Sequence, residues 1–297
     1  MVWLLPSVLT ACELLALTET SPANVLNDFQ IVWVQTVPPV ATPGSLFFID
    51  AAIANPELET LRVFAFTCLP DRQACDSPLG LLVTELFLRC EDGGEPPCIA
   101  LEATAGLQLS EALVAALPRN ESASTDVELP LFVAACIQGT CPRSLTNPMM
   151  SPVIALGLEG TSPPVEEIDP AAFRLAVRPV LAKPTPEPGD SNPELAPLTL
   201  VEEPSTKPLA AGESVELTFR IEGGGRGAGN IVSGFTTGGS FTTGSGFFER
   251  VNVRRDDVFR FRFTMPRPAT ATSVWVVLDE NGSSAGDAWS ATFPPAP

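Results

Sequence analysis

Proline cuts this chain into short pieces. There are 31 prolines and 22 glycines among its 297 residues, and the apolar runs between them are brief and bounded by turn residues. Proline has no N–H to give to a helix interior or to a ladder, so the chain is expected to fold as many short strands joined by turns. An apolar content of 45% is enough for proper cores. After the N-terminus there is no uncharged apolar run of roughly 18 residues, the length a membrane-spanning helix needs.

Two stretches share one grammar. Phe29-Gln-Ile-Val-Trp-Val-Gln35 reads as a strand with Phe29, Ile31 and Trp33 on one side. Pro38-Pro39 follows, then a Pro43-Gly44 turn, then the strand Leu46 to Ile53. Later, Leu198 to Val201 leads to Pro204 and Pro208, an Ala211-Gly212 turn and the strand Val215 to Ile221. The two turn glycines stand 168 positions apart. Proline ends an edge strand and lets the chain cross to a second sheet, and glycine supplies the tight turn back into an interior strand.

Further strands are expected at 61–68, 127–136, 153–158 and 173–180, and then at 247–253, 258–265, 273–278 and 288–293, with Asp279-Glu-Asn-Gly282 as a hairpin turn. Residues 69–119 read as a loop-rich insertion or decorated edge. Within it Ser110 is placed to cap a short helix, Glu111 to Leu117, ended by Pro118. Lys183 to Pro193 holds four prolines and no large apolar side chain, the composition of a semi-rigid linker.

This pattern of strands, prolines and glycine turns resembles the opening of bacterial immunoglobulin-like domains. The resemblance implies an all-β chain of two immunoglobulin-like β-sandwiches, the first decorated with a disulfide-rich insertion and a short helix. The start of the chain resembles a bacterial lipoprotein signal: residues 2–9 are apolar except Ser7, and Leu9-Thr10-Ala11-Cys12 matches a lipobox. That implies a signal peptide over 1–11, lipidation at Cys12 and a flexible tether over 12–27. The sandwiches then occupy 28–183 and 194–297, with the linker at 184–193. The expected location is the cell envelope, as an exported outer-membrane or cell-surface lipoprotein held to the membrane by its lipid.

Seven cysteines become six once Cys12 is lipidated. Cys68 with Cys75, Cys90 with Cys98, and Cys136 with Cys141 fall as near neighbours and read as short-range disulfides in a secreted chain, although six cysteines allow fifteen connectivities. No pair has the two-residue gap common in zinc sites. The formal charge of −18 disfavours nucleic acid and anionic lipid headgroups as partners. Residues 27–183 carry a net −11 and 191–297 a net −3.

There is no histidine, which removes the usual neutral-pH base and histidine-based triads. The pairs Glu166-Glu167, Glu202-Glu203 and Asp256-Asp257 would point to opposite faces of a strand rather than share a substrate. The glycine run 223–229 lacks dinucleotide spacing and a following Lys. Asp279, Asn281 and Asp287 lack the glycine placement of a calcium loop. Catalytic residues, cofactors and metals are therefore expected to be absent. Arg254, Arg255, Arg260 and Arg262 crowd one stretch and form a possible binding surface, a basic strip on a strand whose Phe259, Phe261 and Phe263 face inward. The expected function is that of a non-catalytic binding or structural module with an envelope protein or polysaccharide partner. A carbohydrate-binding accessory of an extracellular hydrolase, or the hydrolase itself, is the rival, and it would need Trp33, Trp275 or Trp289 on an open face.

Overall fold

A computed structural model describes residues 25–42, 44–67, 82–108, 127–142, 145, 169, 171–183, 193–197, 208–223, 230–243, 246–247, 250–253, 258–280 and 286–297. The first part of the chain forms β1 (Gln30–Val37), β2 (Val40–Ala41), β3 (Leu46–Ala54), β4 (Leu61–Thr67), β5 (Leu82–Glu85), β6 (Phe87–Cys90), β7 (Ala100–Gln108), β8 (Val127–Ile137) and β9 (Phe173–Ala182). These strands make two sheets, ordered β1-β3-β7-β6 and β2-β9-β8-β4-β5. Their facing sides share one core, which includes Phe47, Ile49, Ile53, Val63, Leu101, Leu131 and Val133. Burial alternates along β3 as a one-sided strand requires, with Phe47 and Ile49 inside and Leu46 and Phe48 outside.

The second part forms β10 (Pro193–Pro197), β11 (Ser214–Gly223), β12 (Asn230–Thr236), β13 (Ser240–Thr243), β14 (Gly246–Phe247), β15 (Arg250–Val253), β16 (Val258–Thr264), β17 (Thr272–Glu280) and β18 (Gly286–Phe293). Here too there are two sheets, β10-β11-β16-β13-β14 and β15-β12-β17-β18. Between them Phe219, Phe241, Phe263 and Phe293 are fully buried with Val232, Val276 and Leu278. Phe263 stacks on Phe293 at 5.3 Å between ring centroids. The described residues are all-β, two immunoglobulin-like sandwiches in series.

The repeated grammar has a structural counterpart. Pro38 and Pro39 separate β1, in one sheet, from β2, which joins the other sheet beside β9 in parallel. In the second sandwich Leu209 makes the corresponding parallel bridge to Pro295. Gly44 and Gly212 both take the left-handed conformation, at φ 79° and 77°, so each turn uses its glycine for the same steric reason.

Several expectations change. Phe29 and Trp33 do not share a face, because the register of β1 on β3 shifts between Ile31 and Trp33. The bulge inserts one residue and reverses the alternation. Phe29 and Val34 enter the first core, while Val32 and Trp33 point away from it. The stretch read as an insertion supplies β5, β6 and β7, and β7 lies inside its sheet between β3 and β6. The tether does not run through Asn27: Val25 bridges Thr236 and Leu26 is buried. β10 begins at Pro193, where the linker was expected to end. The predicted helix 111–117 and the strands at 153–158 and 198–201 lie outside the described residues.

Candidate functional site

The two sandwiches are docked through the outer faces of β1-β3-β7-β6 and β15-β12-β17-β18. Trp33, Val32, Ala52, Ala54 and Ala100 from the first meet Trp275 and Val277 from the second, with Leu26 packed among them. Trp33 is 7% exposed and Trp275 1%. The small residues Ala52, Ala54 and Ala100 leave room for the two indoles, and the bulge in β1 is what turns Trp33 outward into the cluster that holds Trp275. Arg178 on β9 adds a long ion pair across the seam, its Nη2 3.7 Å from Asp279 Oδ1.

Beside this seam the sheets part into a cleft of about 240 Å³. Its walls carry Asp50, Glu91, Glu102 and Arg89 from the first sandwich, and Asp287 and Ser290 from the second. Register explains the set. Asp50 sits opposite Thr104 and Ala52 opposite Glu102 on β7, while Arg89 on β6 faces Glu102 from the other side. Thr104 Oγ1 donates to Asp50 Oδ1 at 2.7 Å, and Arg89 Nε donates to Glu102 at 2.5 Å. On β18, Ser290 lies opposite Trp275.

Glu91 is placed by a locked turn. The Cys90–Cys98 disulfide closes it, Glu91 N–H donates to the Ala100 carbonyl at 3.1 Å, and Gly93 N–H donates to the Cys90 carbonyl at 3.0 Å. Gly93 takes φ 80°, which suits glycine. The carboxyl group is held above the ordinary carboxylate range, chiefly by burial. The Ser290 hydroxyl, hydrogen-bonded to it, pulls the other way, and the charges of Glu102 and Asp92 push it further up. Glu91 Oε2 and Trp33 Nε1 are buried without a hydrogen-bond partner among the described residues. Such groups raise the cost of closing the seam around them.

The cleft thus offers mostly carboxylate oxygens and hydroxyls, with Arg89 as its cation, and suits a donor-rich or cationic guest. Among the described residues no group of three His, Cys, Asp or Glu converges as a metal site. Asp287 faces the cleft and Asp279 is near Arg178, while Asn281 lies outside the described residues.

Arg260 and Arg262 are exposed on β16, opposite Thr218 and Glu216, and neither lines the cleft. Arg254 and Arg255 lie outside the described residues. Phe263 is buried and Phe259 stacks on Phe219 at 5.6 Å; the side chain of Phe261 is among those not described. Cys136 pairs with Cys141, as Cys90 does with Cys98, and Cys68 and Cys75 lie outside the described residues. Trp289 packs edge-on against Phe219 at 5.2 Å. Sequence reading missed the cleft because Asp50, Glu91, Glu102 and Asp287 are scattered along the chain and meet only through register and docking.

No family model matches the chain, and no curated protein matches it. Among solved structures it is similar to the fibronectin(III)-like modules of Clostridium thermocellum CbhA, at TM-score 0.25 and 10% identity over 88% of this chain and 93% of that one. It is also similar to the native conformation of E. coli alpha-2-macroglobulin, at TM-score 0.28 and 10% identity over 93% of this chain but only 17% of that one. The porcine elastase-activated form of that macroglobulin gives TM-score 0.25 and 10% identity, over 91% of this chain and 22% of that one.

Proposed function

We propose that the protein is an exported module tethered to the cell envelope by a lipid on Cys12, and that it binds or braces an envelope partner without catalysing a reaction. The observation that supports this best is the pair of disulfides, Cys90–Cys98 and Cys136–Cys141. Such bridges persist in oxidising compartments and are rare in the cytosol. Two sandwiches docked through a buried apolar cluster that holds Trp33 and Trp275 suit a scaffold, and a chain without histidine lacks the commonest general base. The rival reading, carbohydrate binding on exposed tryptophans, has less support because Trp33 and Trp275 are consumed by the seam.

The test is fractionation of a bacterial host expressing the full chain or its Cys12→Ser variant. The parent is expected in the membrane fraction with the added mass of a lipid, and the variant in the soluble fraction. Identical partitioning of the two would remove the tether from the proposal.

A further inference from the structure

The outer face of β1-β3-β7-β6 is covered by the second sandwich at one end only. Past the cleft it continues into open surface, where Phe87 is 71% exposed, Leu46 56% and Phe48 47%, with Val37 exposed beside them. Register places these on one side of the sheet. Val37 pairs with Phe48, Phe48 with Gly106 and Phe87 with Thr104, while Phe47, Ile49 and Leu101 point to the core. Gly106 lets the face stay level, since a Cβ there would stand 3.2 Å from Leu46 Cδ1 and 3.6 Å from Phe48 Cε1. Phe48 and Phe87 are two strands apart, about 10 Å across the sheet. Moving along the strands toward the seam, the next side chains on this face are Asp50 and then Glu102. The surface therefore grades from apolar to charged within a few residues, with two carboxylates against the guanidinium of Arg89, which already pairs with Glu102.

We infer that this face docks a polypeptide segment of a protein partner in which apolar side chains adjoin lysines or arginines. A contiguous exposed apolar patch next to polar groups marks an interaction site. The same face already buries protein at its other end, at Trp33 and Ala52, so the partner extends an existing interface. Charge selects the occupant. A second copy of this chain, at −18, would set carboxylates against carboxylates, and an anionic bilayer would meet the same repulsion, whereas a basic segment finds Asp50 nearest the apolar patch and Glu102, shared with Arg89, beyond it. This deepens the binding-module reading and rests on it, but is independent of the lipid on Cys12.

The test uses the detergent-solubilised full chain, immobilised, with two eight-residue peptides of equal charge, one alternating valine and lysine, the other serine and lysine. The valine peptide is expected to bind at least about tenfold more tightly, the equivalent of burying one or two of its side chains. Phe48→Ser with Phe87→Ser should erase that preference while leaving the melting temperature unchanged, and Leu46→Lys alone should weaken it. Asp50→Asn with Glu102→Gln should weaken both peptides. Equal binding of the two peptides by the parent would reduce the attraction to charge alone and overturn the inference. So would a preference that survives the phenylalanine changes, or retention of a neutral soluble glucan through Phe48 and Phe87 with no peptide preference. The Cys12 fractionation result changes none of these readouts.

Discussion

Gly286 stands against Trp33 across the domain seam: a Cβ built on it would lie 3.3 Å from Trp33 Nε1 and only 2.3 Å from the carbonyl oxygen of Leu278. The first contact is tight and the second is impossible without moving the backbone of β17 and β18. This glycine sets how closely the second sandwich approaches the first.

Gly286→Ala should therefore shift β18 away from its partner strand and loosen the packing around Trp33. A cost of about 1–3 kcal/mol is expected, in the range of overpacking in a well-packed site. Urea denaturation checks it; an unchanged midpoint would show that the strand pair absorbs the methyl group freely.

Trp275 is the largest fully buried side chain among the described residues and belongs to the seam cluster rather than to either sandwich core. Trp275→Ala is expected to cost about 3–5 kcal/mol, taken from the coupling between sandwiches and not from their interiors. Calorimetry should then resolve two transitions where the parent has one. A single unshifted transition would mean that the seam contributes little.

Glu91 links the seam to pH. Burial raises its carboxyl pKa in the folded chain, against the opposing pull of Ser290. A raised folded value means that stability is fully present below the unfolded carboxylate value, near roughly 4.3, and is lost as pH rises through the folded one. Glu91→Gln should remove that loss, so the variant should melt higher than the parent at pH 8 and no differently at pH 4. Paired thermal melts at the two pH values measure the difference, and a constant offset would contradict the assignment.

The two disulfides close short loops, with sequence separations of 8 for Cys90–Cys98 and 5 for Cys136–Cys141. Loop-closure entropy assigns them about 2.5 and 2 kcal/mol. Cys90→Ser with Cys98→Ser should also free the turn that holds Glu91, so in this variant the pH dependence of melting should flatten. The Cys136→Ser, Cys141→Ser pair should leave it intact. Equal effects of the two pairs on the pH profile would disconnect the turn from the cleft.

The strands of the cores were legible because alternation reports directly which side chains are buried: Phe47, Ile49, Phe219 and Phe263 all lie inside. The turn glycines at 44 and 212 were legible for a similar reason, since their conformation excludes a side chain at low cost. β7 was not legible, because its outward residues Glu102, Thr104 and Gly106 line a cleft or an open face and dilute the apolar signal. Nor was the direction of Trp33. Periodicity presumes an unbroken strand, and a one-residue bulge leaves no mark in composition. The cleft depends on both, and so followed only from tertiary docking.

Val25 and Leu26 are joined to β12 of the second sandwich, through a bridge to Thr236 and a 2.7 Å bond from Leu26 N–H to the Thr236 carbonyl, before the chain has entered the first. Any load applied upstream of Val25 is thus shared by both halves at once. It meets the single Val25–Thr236 bridge and the Leu26 hydrogen bond before it reaches β1, so the second half carries part of a pull that sequence order would assign to the first alone.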